Sequence, residues 1–310
     1  MKDIRGSQPD WLAADWGTSR LRIWGMGTNG DLIGRQFGDS GMSRISKSEF
    51  ETEFIKLAEP FLSNDTTLDV VCCGMAGSRQ GWAEASYVKV PCYPPGIANA
   101  VQVKTVDPRI NVFVLPGIKQ TAPADVMRGE ETQIRGFMAT NPGFDGVICL
   151  PGTHTKWVHV SAGEIISFQT FMTGELFSLL SDASVLRHTV QPDGWDEAAF
   201  LQAVERSFSR PSAAAAQLFT LRAAALLNEP YENVARSQLS GILIGIELAA
   251  ARPYWLGQNL AVLGTHEIAN AYCQALKAQG LEVSMAHSED MTLAGLKHAY
   301  AALKCVVKDA

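Results

Sequence analysis

The sequence has little that would tie the protein to a membrane or to nucleic acid. No run approaches the roughly 18 consecutive apolar residues of a membrane span, and Met1–Asp10 is polar, without an apolar signal core. We therefore expect a cytoplasmic protein with no membrane partner. The formal net charge is −6 and the basic residues form no block, which argues against a nucleic-acid partner.

Metal-type cysteine clusters and the common nucleotide signatures are also missing. The six cysteines are scattered apart from the adjacent Cys72 and Cys73, so we expect buried free thiols and neither a disulfide framework nor a zinc site. The sequence contains no Walker A motif and no protein-kinase signature. If the protein binds a nucleotide, it must do so through another kind of phosphate loop.

The composition is that of a globular protein. Apolar residues make up 46% of the 310 residues and charged residues 19%, which is enough for a sizeable core. At roughly 150 residues per domain, the length predicts two domains. Because the overall charge repels anions, an anionic ligand would have to be held by local arginines and helix N-termini.

Two passages of the chain, 11–37 and 146–171, share one layout. Each has an apolar strand, a Gly-Thr turn, a strand containing tryptophan, a turn with glycine and an acidic residue, and a third strand. A repeat at this large offset indicates two related domains rather than a solenoid. The fold class predicted is therefore α/β, built from two similar domains.

The intervening segments predict alternating helices and strands. A strand at 111–115 is followed by helical spacing at 126–138, and apolar positions at 291–304 predict a closing helix. We place the domain boundary so that residues 1–125 form the first domain and residues 126–310 the second. The closing helix is free to pack back on the first domain.

Turns made of glycine and hydroxyl residues offer the backbone and side-chain donors that phosphate groups need. Asp15 ends the strand before the first such turn, where a carboxylate can hold Mg²⁺ directly or through water. A third turn joins a late strand to a helix N-terminus, which suits a nucleotide. Ordinary hairpin turns and a simple N-cap are the alternative interpretation. The candidate nucleotide contacts are Asp15, Gly17, Thr18, Ser19, Gly152, Thr153, His154, Thr155, Gly264 and Thr265.

At the level of motifs, the chain resembles one kinase family over about residues 11–304. The segments that carry the resemblance are DWGTSRLRIW, CCGMAGSRQGW, DVMRGEETQIRG, LPGTHTKWVHV and TFMTGELFSLLS. They are similar to the 2-dehydro-3-deoxygalactonokinase family, in the superfamily of hexokinase and actin. The resemblance implies two ribonuclease-H-like domains, each with a mixed five-stranded sheet flanked by helices, and a cleft between them. It also implies that ATP and Mg²⁺ are used to phosphorylate the 6-hydroxyl of 2-dehydro-3-deoxy-D-galactonate in D-galactonate catabolism.

The resemblance further implies a catalytic carboxylate. In hexokinase-like proteins, the aspartate that takes the proton of the attacking hydroxyl opens a helix after the last strand of the first domain. Asp125 directly precedes the predicted helix and is the candidate base, with a plain N-cap role as the alternative. Glu130 and Glu131, inside the predicted helix, are weaker candidates.

A substrate carboxylate calls for arginine, whose planar guanidinium binds it with two parallel hydrogen bonds. Arg79 follows a strand end among small residues and is the first candidate. The backbone of the preceding glycine-containing turn could approach the substrate closely. Surface salt bridges and an ordinary turn are the alternatives. The candidate substrate contacts are Arg20, Met75, Ala76, Gly77, Arg79 and Arg128.

Two other functions stay open on the same scaffold. A phosphatase or nucleotide hydrolase would act without an acceptor, and a nucleotide-binding module would bind ATP and tolerate the loss of Asp125. A kinase of another deoxy-keto or hexonic acid is a nearer alternative. The kinase of the galactonate-derived acid is preferred because the resemblance extends to the segments around Arg79 and Asp125. A homodimer is neither required nor excluded by the sequence.

Overall fold

A computed structural model describes residues 8–191, 193–227 and 234–308. Contacts within the chain divide it into two compact units. Unit 1 comprises Met1–Phe144, Ala162–Ile166 and Ser288–Ala310, and unit 2 comprises Asp145–Ser161 and Ser167–His287. The sequence placed the boundary at residue 125. The structural boundary lies later because the helix that follows residue 129 packs within unit 1.

Strands and helices alternate through most of the chain. The strands are β1 (Trp11–Trp16), β2 (Leu21–Met26), β3 (Leu32–Gly38), β4 (Leu68–Gly74), β5 (Tyr87–Lys89), β6 (Val101–Gln102), β7 (Ile110–Val114), β8 (Gly117–Thr121), β9 (Ala124–Met127), β10 (Gly146–Leu150), β11 (Thr155–Ser161), β12 (Glu164–Phe171), β13 (Leu260–Gly264) and β14 (Val283–His287). The helices are α1 (Phe50–Ala58), α2 (Glu130–Thr140), α3 (Thr173–Ser178), α4 (Glu197–Ser209), α5 (Ala214–Leu227), α6 (Val234–Ala250), α7 (Arg252–Trp255), α8 (His266–Ala278) and α9 (Ser288–Lys308).

Unit 1 is built on a six-stranded sheet in the order β3-β2-β1-β4-β7-β6. The first of the two repeated passages, 11–37, supplies the antiparallel strands β1 to β3, and β4 and β7 extend the sheet in parallel with β1. Because side chains alternate along a strand, the two faces bury different residues. Leu21 and Ile23 of β2 share a core with Phe50 and Phe54 of α1, whereas Trp24 belongs to the core under α9.

Helices α2 and α9 pack against each other within unit 1 at very short range. A Cβ built on Gly136 of α2 would lie 1.9 Å from the carbonyl oxygen of Met291. One built on Gly295 of α9 would lie 2.0 Å from the carbonyl oxygen of Thr132. Real side chains never approach backbone atoms so closely, so both positions require glycine.

The helix predicted at 126–138 is wrong at its start. Residues 117–127 form the hairpin β8-β9, which makes a three-stranded sheet with β5. Pro123 stands in the turn of this hairpin, between the paired residues Thr121 and Ala124. Gly129 has a φ of +107°, which is outside the helical range, and α2 begins only after it. Asp125 therefore lies in a strand.

The sheet of unit 2 repeats the strand order of the first five strands of the unit 1 sheet. Its five strands have the order β12-β11-β10-β13-β14, with β10 antiparallel to β11 and parallel to β13. The duplicated layout predicted from the sequence is thus present in both sheets, and the short β6 gives unit 1 one strand more than predicted. Among the described residues, no helix has both the length and the apolar character that a membrane crossing requires.

Candidate active site

The candidate residues of unit 1 lie where parallel strands end. β1 and β4 are paired with Asp15 opposite Cys73 and Trp16 opposite Gly74, so their carboxyl ends meet at one edge of the sheet. A Cβ built on Gly129 would lie 3.5 Å from the Cα of Gly74. The start of α2 therefore reaches the same edge.

The first Gly-Thr turn is held by its backbone and presents its hydroxyl groups to solvent. The Gly17 N–H donates to the Arg20 carbonyl at 2.8 Å, and the Met42 N–H donates to the Gly17 carbonyl at 3.1 Å. Thr18 and Ser19 are exposed. The turn can therefore offer hydroxyl and amide donors to a phosphate without a change of conformation.

Asp15 is buried and has a cationic partner. Its Oδ2 accepts a hydrogen bond from Arg22 Nη2 at 2.5 Å, and its Oδ1 lies 3.7 Å from Cys73 Sγ. Within the described residues, no three His, Cys, Asp or Glu side chains form a group that could hold a metal ion. The single carboxylate of Asp15 fits a Mg²⁺ ion that takes its other oxygen ligands from phosphates and water, as this ion commonly does.

The three candidate arginines have very different surroundings. Arg79 is exposed. Arg20 has 79% of its side chain exposed and lies 4.0 Å from Asp39, an arrangement that contributes little energy. Arg128 is half-buried within unit 1. Of the three, only Arg128 has the partly desolvated environment in which a guanidinium binds a carboxylate strongly.

Arg128 lies beside Gly77 with two unused donors. Its Nη2 donates to the Ala85 carbonyl at 2.8 Å, and its guanidinium carbon lies 4.3 Å from the centre of the Tyr87 ring. Its Nε and Nη1 are buried and have no hydrogen-bond partner among the described residues. A Cβ on Gly77 would lie 2.6 Å from Nη1, so glycine makes room for the guanidinium. Because these two groups point to different sides of the guanidinium, a substrate carboxylate could satisfy one of them with a charge-assisted hydrogen bond.

The turn at Met75, Ala76 and Gly77 is more enclosed than the sequence suggested. Ala76 and Gly77 are buried, and their carbonyls accept hydrogen bonds from Ala83 and Ala85 at 3.2 Å and 3.0 Å. Met75 is half-buried. The turn therefore supports Arg128, and only Met75 keeps surface that a substrate could contact directly.

Two glutamates, and not Asp125, open the helix at this sheet edge. Glu130 is half-buried, and its Oε2 accepts a hydrogen bond from the Arg128 N–H at 3.0 Å. Glu131 has no exposed surface, and its Oε2 accepts from the Gly129 N–H at 2.6 Å. The prediction that Asp125 stands at a helix start is wrong, because it is half-buried in β9. Its assignment as the base loses the argument on which it rested.

Burial raises the pKa of Glu131 to about 8, and the neighbouring Glu130 adds to the effect. Since this value lies above the ordinary 4.5, the folded protein retains a proton that the unfolded chain releases. The retained proton contributes to the unfolding free energy. This contribution is complete below about pH 4.5 and is lost as the pH rises through about 8.

We therefore expect Glu131→Gln to remove this pH dependence. Between about pH 5 and about pH 8.5, the wild type should lose about 4 kcal/mol of unfolding free energy relative to the variant, at about 1.4 kcal/mol per pKa unit. Urea unfolding of both proteins across this range measures the difference. A constant difference would contradict the buried, proton-binding state of Glu131.

In unit 2, the second Gly-Thr turn lies against the start of α3. A Cβ on Gly174 would lie 2.2 Å from the carbonyl oxygen of Gly152. The Glu175 N–H donates to the Thr153 carbonyl at 2.9 Å, and Glu175 Oε2 lies 2.5 Å from His154 Nε2. Thr153 and His154 remain exposed. The turn is thus fixed by α3 and still presents two side chains to a ligand.

The third turn is a neighbour of the second, whereas Thr155 faces inward. A Cβ on Gly264 would lie 3.3 Å from Pro151 Cγ, so the two turns are adjacent. Thr265 is exposed and makes no side-chain cap at the start of α8, which leaves the helix N-terminus open to an anion. Thr155 is fully buried with its Oγ1 at 3.0 Å from Tyr272 Oη. Its hydroxyl is therefore not presented to a nucleotide.

Sequence reasoning missed two charged residues that organise these sites. One is Arg22, whose pairing with Asp15 depends on the register of β1 and β2. Glu247 is 2% exposed in α6 and accepts three hydrogen bonds. The signal that could have revealed Glu247 is its position as the one carboxylate in the apolar run 241–250, because a buried carboxylate needs hydrogen-bond partners.

Comparison with known proteins gives a consistent relationship over nearly the whole chain. Residues 15–299 match the sequence profile of a family described as 2-keto-3-deoxy-galactonokinase. The chain is 37% identical over 300 residues to "Probable 2-dehydro-3-deoxygalactonokinase DgoK1" of Rhizobium meliloti, covering 94% of this chain and 97% of that protein. It is 34% identical over 292 residues to the 2-dehydro-3-deoxygalactonokinase of Escherichia coli, covering 93% and 96%.

Solved structures give the same relationship. The crystal structure of a Sinorhizobium meliloti protein that carries the same enzyme name has a TM-score of 0.87 and 36% identity, covering 94% of this chain and 99% of that one. The activator of 2-hydroxyisocaproyl-CoA dehydratase from Clostridium difficile, solved with bound ADPNP, has a TM-score of 0.50 and 11% identity over 97% of both chains. The second likeness concerns the fold alone. Together they confirm the two-domain kinase fold predicted from the sequence.

Proposed function

Because the chain belongs to the 2-keto-3-deoxy-galactonokinase family, we propose that it transfers the γ-phosphate of ATP to the 6-hydroxyl of 2-dehydro-3-deoxy-D-galactonate. The observation that carries the proposal is the family match over residues 15–299, which includes the phosphate turns and the start of α2. A cytoplasmic location belongs to the same proposal, since both substrates are small soluble metabolites.

The nucleotide is proposed to bind through turns that present donors. In unit 2 these are the turn with Thr153 and His154 and the N-terminus of α8 after Thr265, which are adjacent and exposed. In unit 1 they are Thr18 and Ser19. Amide and hydroxyl donors of this kind stabilise phosphate charge as it redistributes during transfer.

Asp15 is the proposed protein contact of Mg²⁺. When bound, the ion would neutralise charge on the transferring phosphate. Arg22 holds the Asp15 carboxylate in one orientation through the 2.5 Å hydrogen bond. The protein therefore contributes a fixed oxygen, and the nucleotide contributes the remaining anionic ligands.

Glu130 is the proposed base. As the 6-hydroxyl oxygen bonds to the γ-phosphorus, its proton passes to the Glu130 carboxylate, and the bond from phosphorus to the bridging oxygen breaks to release ADP. Glu130 is preferred over Asp125 because it opens α2 beside the ends of β1 and β4. It is preferred over Glu131 because Glu131 is enclosed.

Arg128 is the proposed partner of the substrate carboxylate. None of the residues that the structure describes accepts a hydrogen bond from its Nε or Nη1, and its contacts with Ala85 and Tyr87 hold the guanidinium in place. Arg79, the first candidate from the sequence, is exposed and would have to order a long side chain on binding.

The proposal is tested by ADP release in a coupled assay with Mg²⁺-ATP and a panel of acceptors. The panel is 2-dehydro-3-deoxygalactonate, its gluconate epimer, galactonate, glucose and water alone. We expect release to require the galactonate-derived keto acid. Equal release with water alone would favour a hydrolase, and nucleotide binding without turnover would favour a binding module.

Two arginine variants serve as the matched control in the same assay. Arg128→Met should raise the KM for the keto acid by about 10- to 100-fold and leave the KM for ATP unchanged, since a charge-assisted hydrogen bond to the substrate carboxylate is lost. Arg79→Met should change neither value by more than about twofold. The opposite pattern would assign the carboxylate to Arg79, as the sequence first indicated.

A further inference from the structure

Glu247 is a buried carboxylate at the centre of unit 2. It is 2% exposed and stands in the otherwise apolar second half of α6. Its Oε1 accepts a hydrogen bond from Trp157 Nε1 at 2.8 Å. Its Oε2 accepts from Tyr272 Oη at 2.8 Å and from Thr173 Oγ1. Burial raises its pKa, and these hydrogen bonds act in the opposite direction.

The donors to Glu247 come from three segments that bound the proposed nucleotide turns. Trp157 lies in β11, directly after the turn with Thr153 and His154. Thr173 is the first residue of α3, which packs on that turn. Tyr272 lies in α8, whose N-terminus follows Thr265, and its hydroxyl also lies 3.0 Å from Thr155 Oγ1. The Glu247 carboxylate therefore links β11, α3 and α8 through three hydrogen bonds.

We propose that Glu247 is a positioning residue, which fixes the turn at Gly152–His154, the start of α3 and the start of α8 in the arrangement that binds the nucleotide phosphates. The inference rests on the proposed function in one respect, that these turns bind the nucleotide. Glu247 does not itself contact the ligand, because its side chain is enclosed and its oxygens are taken by the three donors.

Two features indicate that Glu247 does more than stabilise the core of unit 2. A core position can be filled by an apolar side chain, but no apolar residue can accept the Trp157 indole N–H, which is buried and has no rotatable proton. Moreover, although Trp157 and Tyr272 belong to the core of unit 2, each of the three donors lies in an element that begins at or packs on a proposed nucleotide turn. The carboxylate therefore specifies where these segments stand relative to each other.

The test compares Glu247→Gln with Ser207→Ala in the full-length protein. Glutamine keeps the shape and one acceptor oxygen, but offers an N–H₂ group where Tyr272 and Thr173 donate. Ser207 is fully buried in α4, donates to Gln217 at 2.8 Å and packs near Gly245 of α6, away from the three segments. The Ser207→Ala variant therefore measures the effect of losing a buried hydrogen bond in the helices α4 and α6, away from the proposed nucleotide turns.

The primary measurement is calorimetric binding of Mg²⁺-AMPPNP without any acceptor. We expect Glu247→Gln to weaken nucleotide binding by about tenfold, the effect of losing one buried hydrogen bond to a charged group. The KM for the keto acid should stay within about twofold of the wild type. Ser207→Ala should lower the melting temperature without changing nucleotide affinity.

Tyr272→Phe provides a second approach if Glu247→Gln folds poorly. It removes one donor to Glu247 and should weaken AMPPNP binding in the same direction. The double variant should then lose less affinity than the two single effects combined, because both changes act on one network. Additive losses, or a loss of stability alone in Glu247→Gln, would overturn the inference.

The acceptor-free assay separates this inference from the proposed function. If the wild type binds AMPPNP but does not transfer phosphate from ATP to the keto acid in the coupled assay, the proposed substrate is wrong. The role of Glu247 in nucleotide binding can still be measured. If wild type binds no nucleotide, the proposed function fails and the positioning role fails with it.

Discussion

Replacing Glu130 with glutamine is expected to lower kcat by about two to four orders of magnitude while leaving nucleotide affinity unchanged. An amide cannot take the proton of the attacking hydroxyl. Its oxygen can still accept the hydrogen bond that the carboxylate receives from the Arg128 N–H, so the start of α2 should keep its structure. Single-turnover phosphate transfer and AMPPNP binding measure the two effects separately.

Asp125→Asn is the matched control for this prediction. The Asp125 Oδ1 accepts a hydrogen bond from the Val126 N–H at 2.8 Å, which an amide oxygen can also accept. We expect its kcat to remain within about threefold of the wild type, as for substitutions outside the reacting groups. If instead Asp125→Asn is inactive and Glu130→Gln is active, the base is the residue that the sequence indicated, and the helix start is not the decisive feature.

Gly136→Ala is expected to destabilise unit 1 by about 2–4 kcal/mol or to prevent its folding. In an ordinary helix, alanine is about 1 kcal/mol more favourable than glycine. Here the new Cβ would lie 1.9 Å from the Met291 carbonyl oxygen and 2.8 Å from the Gly295 N. The helices would have to move apart, and the core that they cover would lose its packing. Urea unfolding followed by tryptophan fluorescence measures the change.

Gly27→Ala is the control, because a Cβ there meets nothing nearer than 3.7 Å. Its unfolding free energy should change by less than about 1 kcal/mol. A Gly136→Ala protein as stable as the wild type would show that α2 and α9 do not approach as closely as described.

Much of the fold could be predicted because local patterns determine it. The strands β1 to β3 and β10 to β12 alternate or run apolar between strong turn residues, and their layout repeats. The helix at 126–138 failed because a helical spacing of apolar residues was extended across Gly129, whose φ of +107° does not fit a helix. Pro123 and Gly129 together were the available signals for a hairpin followed by a new start.

The candidate site was predictable only in part, because local sequence patterns specify turns but not contacts between distant elements. The proposed phosphate turns consist of glycine and hydroxyl residues that are adjacent in sequence, so the turns themselves could be predicted. The partners of Asp15, Arg128 and Glu247 come from other strands and helices, and nothing in the local sequence specifies them. The arginines show this limit, because the sequence does not reveal that Arg79 is exposed and Arg128 half-buried.

Unit 1 is formed by segments that lie far apart in the sequence, and this affects how the protein folds during synthesis. Leu296, Tyr300 and Leu303 of α9 complete the core that includes Trp11 and Trp24, and the ring of Tyr300 stacks on Trp11 with centroids 4.1 Å apart. The ribosome translates all of residues 145–287 between the two parts of this core. We therefore expect the emerging amino-terminal segment to remain incomplete, with an apolar face available to chaperones, until α9 leaves the exit tunnel, whereas unit 2 can fold before it.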